Sequence, residues 1–225
     1  MKIINLYFVH GWGFSSEFWL PSIEKLRYRY KSSLNYYSIN LGFLKKVKIY
    51  NISNKQNIKN IFVLHSYGYN WFLKEKILCD GIICFNSSAN FFFKKTTRKS
   101  RLITNMISDF KINPEKVLRK FYRLCNIKDV KFNDLDLNKG NLIRALQDLS
   151  SIDYSNFEKK ISVPQYMLNF KDDRVLGFKD NFKQNSRANL KIKILDRGTH
   201  AFPLNNPENC AKFIKNFLIN NDFEK

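Results

Sequence analysis

The clearest indication of the fold is the segment Ile61-Phe62-Val63-Leu64-His65-Ser66-Tyr67-Gly68. Four apolar residues are followed by a histidine, a serine, a tyrosine and a glycine. A short apolar run of this kind is typical of a strand that is buried on both faces, as in a parallel sheet. The residues after it, 70–78, have the length of a helix, so the sequence predicts a strand, a sharp turn at Ser66 and a helix. Such strand-to-helix units are the building blocks of α/β proteins.

Further short apolar runs predict more strands, and segments of helical length lie between them. The predicted strands are 3–9, 36–40, 61–64, 81–85, 165–169 and 190–195. The predicted helices beside them are 17–30, 70–78 and 208–220. Strands that alternate with helices indicate the α/β class, so we expect a mostly parallel sheet flanked by helices.

The alternation is interrupted between about residues 91 and 153, where no convincing apolar strand occurs. This stretch predicts helices at 100–110, 114–124 and 140–149, joined by polar loops. Helices placed between two strands of a sheet indicate a small inserted lid. Because no repeat or low-complexity linker divides the 225 residues, we expect one domain, 1–225, with a helical lid at about 91–153.

The turn at Ser66 matches the G-x-S-x-G pattern of a nucleophile elbow, except that Leu64 replaces the first glycine. In that motif a sharp strand-to-helix turn lifts the serine hydroxyl out of the sheet, where small neighbours normally leave room. The alternative is that Ser66 only caps the following helix. Ser66 is therefore a candidate nucleophile, and a serine nucleophile needs a base within hydrogen-bond reach.

Two further polar residues each follow a strand of their own. Asp173 comes after strand 165–169 and His200 after strand 190–195, while Asp172 is the rival carboxylate. Sites in an open α/β sheet form beyond the carboxyl ends of the strands, so we expect these side chains at one edge. The chain order serine, aspartate, histidine is that of the α/β hydrolases, and we expect that fold.

Serine, histidine and aspartate have different roles in acyl transfer. Histidine exchanges a proton near neutral pH, so His200 would activate the weakly nucleophilic Ser66. Asp173 would hold the imidazole in one tautomer and stabilise its charged form. The sequence therefore predicts an enzyme, a serine carboxylic-ester hydrolase.

A glycine-containing turn, His10-Gly11-Trp12-Gly13, follows the first predicted strand. Glycines there permit a tight turn with exposed backbone amides, which suits an oxyanion hole. We expect the amides of Trp12 and Tyr67 to bind the negative oxygen of a tetrahedral intermediate. His10 and His65 each adjoin one of these turns, and we expect them to shape the pocket rather than to act as the base.

The same turn is followed by Trp19. Three further stretches contain motifs similar to those of a known family, and they are 81–89, 162–175 and 200–208. The turn and Trp19 are similar to the opening of the pimeloyl-acyl-carrier-protein methyl ester esterases of biotin synthesis, the BioH-type carboxylesterases. The three stretches resemble that family's small-residue turn, acid-bearing loop and final histidine region. The resemblance implies an α/β-hydrolase fold and the same triad and oxyanion residues.

The resemblance also implies a substrate, the methyl ester of a pimeloyl chain carried by acyl-carrier protein. An apolar tunnel for that chain would be lined by Phe91, Phe92 and Phe93. Phenylalanine clusters are also common as plain core, and that alternative stays open. The acidic carrier protein would be guided by electrostatic steering towards Arg119, Lys120 and Arg123. A solvated basic surface without a partner is the other interpretation of these cations.

The composition narrows the classes of function. A hydrophobic fraction of 44% and an aromatic fraction of 16% exclude a disordered chain. The 39 Lys and Arg against 19 Asp and Glu give a net charge of +20, which attracts polyanions. A coding bias towards Lys, Asn, Ile and Phe would give the same excess. Because no nucleic-acid-binding motif occurs, we expect no specific nucleic-acid partner.

The remaining expectations concern cofactors, location and alternatives. Four cysteines without a C-x-x-C pair and only three histidines form no metal motif, so we expect neither a metal nor a cofactor. No long apolar run or signal-peptide pattern occurs, so we expect a cytoplasmic monomer without membrane contact. The alternatives are another ester or thioester hydrolase of this fold, and a catalytically degenerate protein that binds acyl chains.

Overall fold

The computed structural model describes residues 3–29, 34–52, 55–91, 97–128, 137–177 and 187–223. Its strands are β1 (Ile3–Val9), β2 (Leu34–Ile39), β3 (Ile58–His65), β4 (Gly81–Phe85), β5 (Gln165–Phe170) and β6 (Leu190–Leu195). They form one sheet in the order β2-β1-β3-β4-β5-β6, with every neighbouring pair parallel. The predicted α/β class with a parallel sheet is confirmed.

Helices follow or separate most of these strands. They are α1 (Leu20–Arg29), α2 (Tyr67–Glu75), α3 (Thr97–Ile112), α4 (Pro114–Leu124), α5 (Lys139–Ser151), α6 (Ser155–Glu158), α7 (Phe202–Asn205) and α8 (Pro207–Asn220). A short 3-10 helix, Ser16–Trp19, precedes α1. The helices α3 to α6 all lie between β4 and β5. Of these, α3, α4 and α5 fall in the region 91–153, where the sequence predicts helices instead of strands, whereas α6 follows that region and is not among the predicted helices.

The centre of the sheet is covered on both faces. All residues of β4, and nearly all of β1, are buried, and the last six residues of β3 are buried as well. Since neighbouring side chains on a strand point to opposite faces, continuous burial requires packing on both sides. This is why these strands appear in the sequence as continuous apolar runs.

The polar start of β3 is a point where the sequence pattern is incomplete. β3 begins at Ile58 and includes Lys59 and Asn60, whose side chains make this part of the strand look like a loop. The backbone nevertheless pairs with β1, and Lys59 Nζ lies 2.6 Å from a carboxylate oxygen of Asp80. Ladder hydrogen bonds at the amino end of the sheet therefore extend the strand beyond its apolar part.

Two predicted helices have shifted boundaries. The predicted helix 17–30 divides into the 3-10 helix and α1. The helix predicted at 70–78 begins earlier, at Tyr67, because Ser66 itself makes the turn. It also ends earlier, since Lys76 adopts a left-handed conformation with a φ of 50°. Each difference arises from a local backbone turn that apolar periodicity does not register.

The parallel arrangement brings the carboxyl ends of the strands to one edge of the sheet. The residues that directly or closely follow strands at this edge are Gly11, Ser66, Asn86, Asp173 and His200. This is the edge at which α/β folds form their sites. Across the described residues, no helix combines the length and the apolar character that crossing a membrane requires.

Replacing Gly68 with alanine should weaken the fold at this edge. A Cβ at Gly68 would lie 2.7 Å from the carbonyl oxygen of Val9 and 2.8 Å from that of His10. Overpacking against backbone atoms costs about 1–3 kcal/mol. We expect urea unfolding of Gly68→Ala to show a free energy of unfolding that is lower by about this amount.

Gly140, near the start of α5, provides the matched control. An added Cβ there would contact only Asn138 Oδ1, at 3.6 Å. Alanine is a better helix former than glycine by up to about 1 kcal/mol, so Gly140→Ala should be neutral or stabilising. An equal loss of stability in both variants would contradict the packing argument.

Candidate active site

Ser66 occupies a strained turn between β3 and α2. Its φ of 51° and ψ of −121° lie outside the regions that a serine usually adopts. The turn is held by a hydrogen bond from the Ser66 amide to the carbonyl oxygen of Phe85, at 3.1 Å. The Ser66 side chain makes no capping hydrogen bond to α2, which argues against the helix-cap interpretation. Leu64 is fully buried in the core, so the missing first glycine does not prevent the turn.

His200 lies between Ser66 and Asp173. Its Nε2 is 2.9 Å from Ser66 Oγ, and its Nδ1 is 2.8 Å from Asp173 Oδ2. Because a carboxylate only accepts hydrogen bonds, Nδ1 carries the proton and Nε2 is left to accept from the serine hydroxyl. All three side chains are buried, with His200 fully inaccessible. The three residues that the sequence predicts as a triad are thus in direct contact.

Asp173 sits in a pocket of hydrogen-bond donors. Its Oδ1 accepts from the amides of Val175 and Leu176, at 2.9 and 3.0 Å. Its Oδ2 accepts from His200 Nδ1 and from Asn86 Nδ2, both at 2.8 Å. Burial alone would raise the pKa of Asp173, but the nearby His200 and the hydrogen bonds from His200, Leu176 and Asn86 lower it. The carboxylate therefore stays ionised although it is buried.

The rival carboxylate, Asp172, does not reach the histidine. Its side chain is exposed, whereas Asp173 is 1% exposed and contacts His200. Adjacent residues in an extended or turning backbone point in different directions, so only one of the two could face the site. Of the two carboxylates, Asp173 is the one that contacts His200.

His65 holds the histidine loop by its backbone. Its Nε2 donates to the carbonyl oxygen of His200 at 2.8 Å, so its proton is on Nε2. The ring stacks on Phe18, with centroids 4.4 Å apart. Burial, with the proximity of His200, lowers the pKa of His65 well below its usual value. This hydrogen bond ties the residue before Ser66 to the backbone of His200 through a neutral ring.

His10 ties the turn after β1 to the loop after β2. Its Nδ1 donates to the carbonyl oxygen of Gly11 at 2.9 Å, and its Nε2 accepts from the Leu41 amide at 3.0 Å. Burial lowers the pKa of His10 to about 4. His10 is thus a neutral brace for the glycine turn and takes no direct part in the Ser66–His200 contact.

The two amides expected at the oxyanion hole belong to residues close to Ser66, one in the chain and one in space. Tyr67 is the first residue of α2, so its N–H has no acceptor within the helix. Trp12 follows Gly11, and a Cβ added at Gly11 would lie 2.9 Å from Ser66 Cβ. Only glycine allows the backbone before Trp12 to approach the serine this closely. Both amide-bearing turns therefore adjoin Ser66.

The helices between β4 and β5 cover this site. Phe121 of α4 packs its ring edge-on to His200, with centroids 6.2 Å apart. Trp12 Nε1 donates to the carbonyl oxygen of Leu142 in α5 at 2.9 Å, and the Tyr122 hydroxyl donates to that of Gly13. The glycine turn is thus hydrogen-bonded to two inserted helices, a connection that the sequence reasoning missed.

Solved structures match this architecture over nearly the whole chain. An esterase from Exiguobacterium antarcticum matches with a TM-score of 0.77 and 13% identity, covering 97% of this chain and 92% of its own. A bromoperoxidase from Bacillus anthracis matches with a TM-score of 0.75 and 11% identity, again covering 97% and 92%. MenH from S. aureus matches with a TM-score of 0.71 and 14% identity, covering 99% and 96%.

The chain has the α/β-hydrolase fold. No family model matches it, and no curated protein matches its sequence. The structures that share the fold include an esterase and a bromoperoxidase, so the fold does not select one reaction. Its function must be argued from the residues of the site.

Asn86 is a residue of this site that the sequence reasoning did not single out. It directly follows β4, is fully buried and adopts a φ of 51°. Its Nδ2 donates to Asp173 Oδ2 at 2.8 Å and to the carbonyl oxygen of Thr199 at 3.1 Å. The only signal in the sequence was a polar residue directly after a fully apolar strand, at the edge where the other site residues lie.

The structure describes some, but not all, of the residues predicted to bind the acyl chain and the carrier protein. Phe91 is half-buried and packs against the core, whereas Phe92 and Phe93 lie outside the described residues. The cations predicted to meet the carrier are exposed on α4: Arg119, Lys120 and Arg123. Glu115 forms an ion pair with Arg119 at 2.6 Å on the same surface. The basic surface and the site residue Phe121 thus belong to one helix.

The buried neutral state of His10 should make stability depend on pH. Below its usual value of 6.5, the unfolded chain binds a proton that folded His10 takes up only near pH 4. The free energy of unfolding therefore falls as pH drops through this range, by up to roughly 3 kcal/mol for this group. We expect urea unfolding between pH 7 and pH 4 to show a smaller decline for His10→Gln than for the natural chain. Parallel declines in the two proteins would contradict this assignment.

Proposed function

We propose that this protein is a serine hydrolase of carboxylic esters, with Ser66 as nucleophile, His200 as base and Asp173 as the orienting acid. The observation that carries the proposal is the continuous chain of contacts from Ser66 Oγ to His200 Nε2 and from His200 Nδ1 to Asp173 Oδ2. These contacts have the lengths of ordinary hydrogen bonds. The tautomer that Asp173 imposes is the one that leaves Nε2 free to accept the serine proton.

The reaction follows from these positions. Ser66 Oγ attacks the ester carbonyl carbon while its proton moves to His200 Nε2, and the carbonyl oxygen becomes an oxyanion. The intermediate collapses, the bond to the alkoxy oxygen breaks, and His200 returns the proton so that the alcohol leaves. Water then attacks the acyl-serine, giving up a proton to His200, and the acid is released as Ser66 regains the proton. No electrons are exchanged with a cofactor.

The environment of the site favours the charged states of this cycle. The amides of Trp12 and Tyr67 adjoin Ser66 and would each stabilise the oxyanion by roughly 3 kcal/mol. Asp173 stays ionised because its pKa is lowered, so a negative charge is available beside the imidazolium that forms on His200. The burial of the triad, with Phe121 packed on His200, strengthens both electrostatic interactions.

The finer proposal concerns the substrate: the methyl ester of a pimeloyl chain on acyl-carrier protein, whose cleavage belongs to biotin synthesis. The motif resemblance supports it, and so do the two faces of α4. Phe121 on the inner face contacts His200, while Lys120 and Arg123 on the outer face are exposed. In this proposal the helices between residues 91 and 153 form a lid, and an acidic carrier binds its basic outer surface.

Another acyl-ester or thioester hydrolase would use the same residues, because the alcohol or thiol leaves from the same tetrahedral intermediate. The degenerate acyl-binding alternative has less support, since the strained turn at Ser66 and its contact with His200 are both present. Such strain is costly to keep in a protein that performs no chemistry.

The catalytic proposal is tested by the loss of activity in matched variants. We expect purified protein to hydrolyse pimeloyl-acyl-carrier-protein methyl ester and to react with a fluorophosphonate probe. Ser66→Ala should abolish both. Asp173→Asn should lower kcat by about 10⁴-fold, because the histidine tautomer is lost. Asp172→Asn, one residue away and exposed, should leave kcat within about twofold.

The outcomes separate the nested parts of the proposal. Probe labelling without turnover of the pimeloyl substrate, but with turnover of short esters or thioesters, keeps the hydrolase and rejects the biotin substrate. Folded protein that neither reacts with the probe nor hydrolyses any ester would overturn the hydrolase itself. Equal losses in Asp172→Asn and Asp173→Asn would reject the assignment of the acid.

The carrier proposal is tested by reversing charge on α4. We expect Lys120→Glu with Arg123→Glu to lower kcat/KM for the carrier-bound ester by about 10-fold or more at low salt, because steering is lost. Hydrolysis of a small p-nitrophenyl ester should not change. The control is Lys55→Glu with Lys191→Glu, an equal charge change at exposed positions near the amino ends of β3 and β6. Equal losses on both substrates, or in both double variants, would reject carrier docking on α4.

A further inference from the structure

Asn86 lies at the junction of three parts of the site: the end of β4, Asp173 and the loop that carries His200. It follows β4 directly, and its backbone N–H donates a hydrogen bond to the carbonyl oxygen of Leu168 in β5, at 2.9 Å. Its φ of 51° places it in the left-handed region, where asparagine is among the few residues other than glycine that fit easily. This conformation is part of how the side chain reaches Asp173.

The side-chain amide of Asn86 spans the acid and the histidine loop. Nδ2 has two hydrogens, and it donates to Asp173 Oδ2 at 2.8 Å and to Thr199 O at 3.1 Å. Both partners only accept hydrogen bonds, so the orientation of the amide is determined by the network. Asp173 Oδ2 is also the atom that accepts from His200 Nδ1, and Thr199 is the residue before His200.

Plain packing does not account for an amide at this position. Asn86 Oδ1 is buried and has no hydrogen-bond partner within the described part of the chain. A buried polar atom without a partner destabilises a fold, and an apolar side chain would fill the same space without that penalty. The stabilising contacts of the side chain come from Nδ2, which donates to Asp173 and to Thr199.

We propose that Asn86 is a positioning residue for the hydrolase reaction: its amide fixes Asp173 relative to the Thr199–His200 backbone, so that His200 Nε2 faces Ser66. The inference rests on the proposed function and adds a residue to it. Asp173 alone could rotate about its side-chain bonds, whereas two donors on Oδ2 and two on Oδ1 leave one orientation. His65 supports the same loop from the other side through His200 O.

The test compares two deletions of a buried amide. Asn86→Ala removes the contacts with Asp173 and Thr199. Asn5→Ala removes a buried asparagine in β1 whose partners, Tyr7, Asn60 and Asn35, are not among the site residues. We expect fluorophosphonate labelling of Ser66 and kcat for a p-nitrophenyl ester to fall about 10- to 100-fold in Asn86→Ala, with KM within twofold. Asn5→Ala should label within twofold of the natural chain.

A second variant, Asn86→Asp, tests the role through the pH dependence of the labelling rate, which a purely structural role of Asn86 would leave unchanged. In Asn86→Asp the new carboxyl would adjoin Asp173, and two carboxylates this close share a proton instead of both ionising. That proton takes the position of the lost amide hydrogen on Oδ2. The labelling rate of Asn86→Asp relative to the natural chain should therefore rise as pH falls, measured where circular dichroism shows both proteins folded. The same ratio for Asn86→Ala should stay flat.

Each outcome decides the proposal. Labelling of Asn86→Ala as fast as that of Asn5→Ala overturns the positioning role while leaving the hydrolase intact. If Asn86→Ala does not fold, the pH dependence of Asn86→Asp decides alone, and a flat ratio overturns the role. If the natural chain itself is not labelled, the proposed hydrolase fails, and the positioning role fails with it.

Discussion

The site depends on the close approach of two backbone segments at the ends of β1 and β3. Gly68 lies against the carbonyl oxygens of Val9 and His10, and Gly11 lies against Ser66. Neither position has room for a Cβ, and glycine has none. The two segments can therefore approach closely enough for α2 to begin directly after β3, with Ser66 at a positive φ. The strain at Ser66 is compensated by packing in the surrounding core, in which Leu64 is fully buried. The first glycine of the elbow motif is therefore dispensable here, while the last one is not.

From this turn outward, hydrogen bonds between strand ends orient each polar side chain. His200 is held at its ring by Asp173, at its own carbonyl by His65 and through Thr199 by Asn86. In a buried site these bonds compete little with water, so they fix geometry more strongly than exposed ones. The inserted helices add a second layer, since α4 and α5 bond to the turn that contains Trp12. In the proposed hydrolase, these two helices would also support the amide of Trp12.

Fold and function separate clearly in this protein. An esterase, a bromoperoxidase and MenH all share its architecture at 11 to 14% identity. The sheet therefore supplies a platform, and the chemistry depends on which side chains extend from its edge. Here those side chains form a hydrogen-bonded chain that ends at a buried turn serine, and this chain is the feature that supports the proposed ester hydrolysis. The net charge of +20 is a separate property of the chain, and α4 carries some of its cations on the same helix as Phe121, which contacts His200.

Local patterns in the sequence determined the class of the fold, the positions of the strands and the three triad candidates, because burial on both faces and strand-end turns leave local signals. The polar start of β3 and the early start of α2 escaped, since backbone pairing and a strained turn do not depend on apolar periodicity. The tertiary structure alone shows that Asp173 contacts His200, that His200 reaches Ser66 and that Asn86 contacts Asp173. Those contacts join residues 27 to 134 positions apart, and such distances are closed only when separate strands pair side by side.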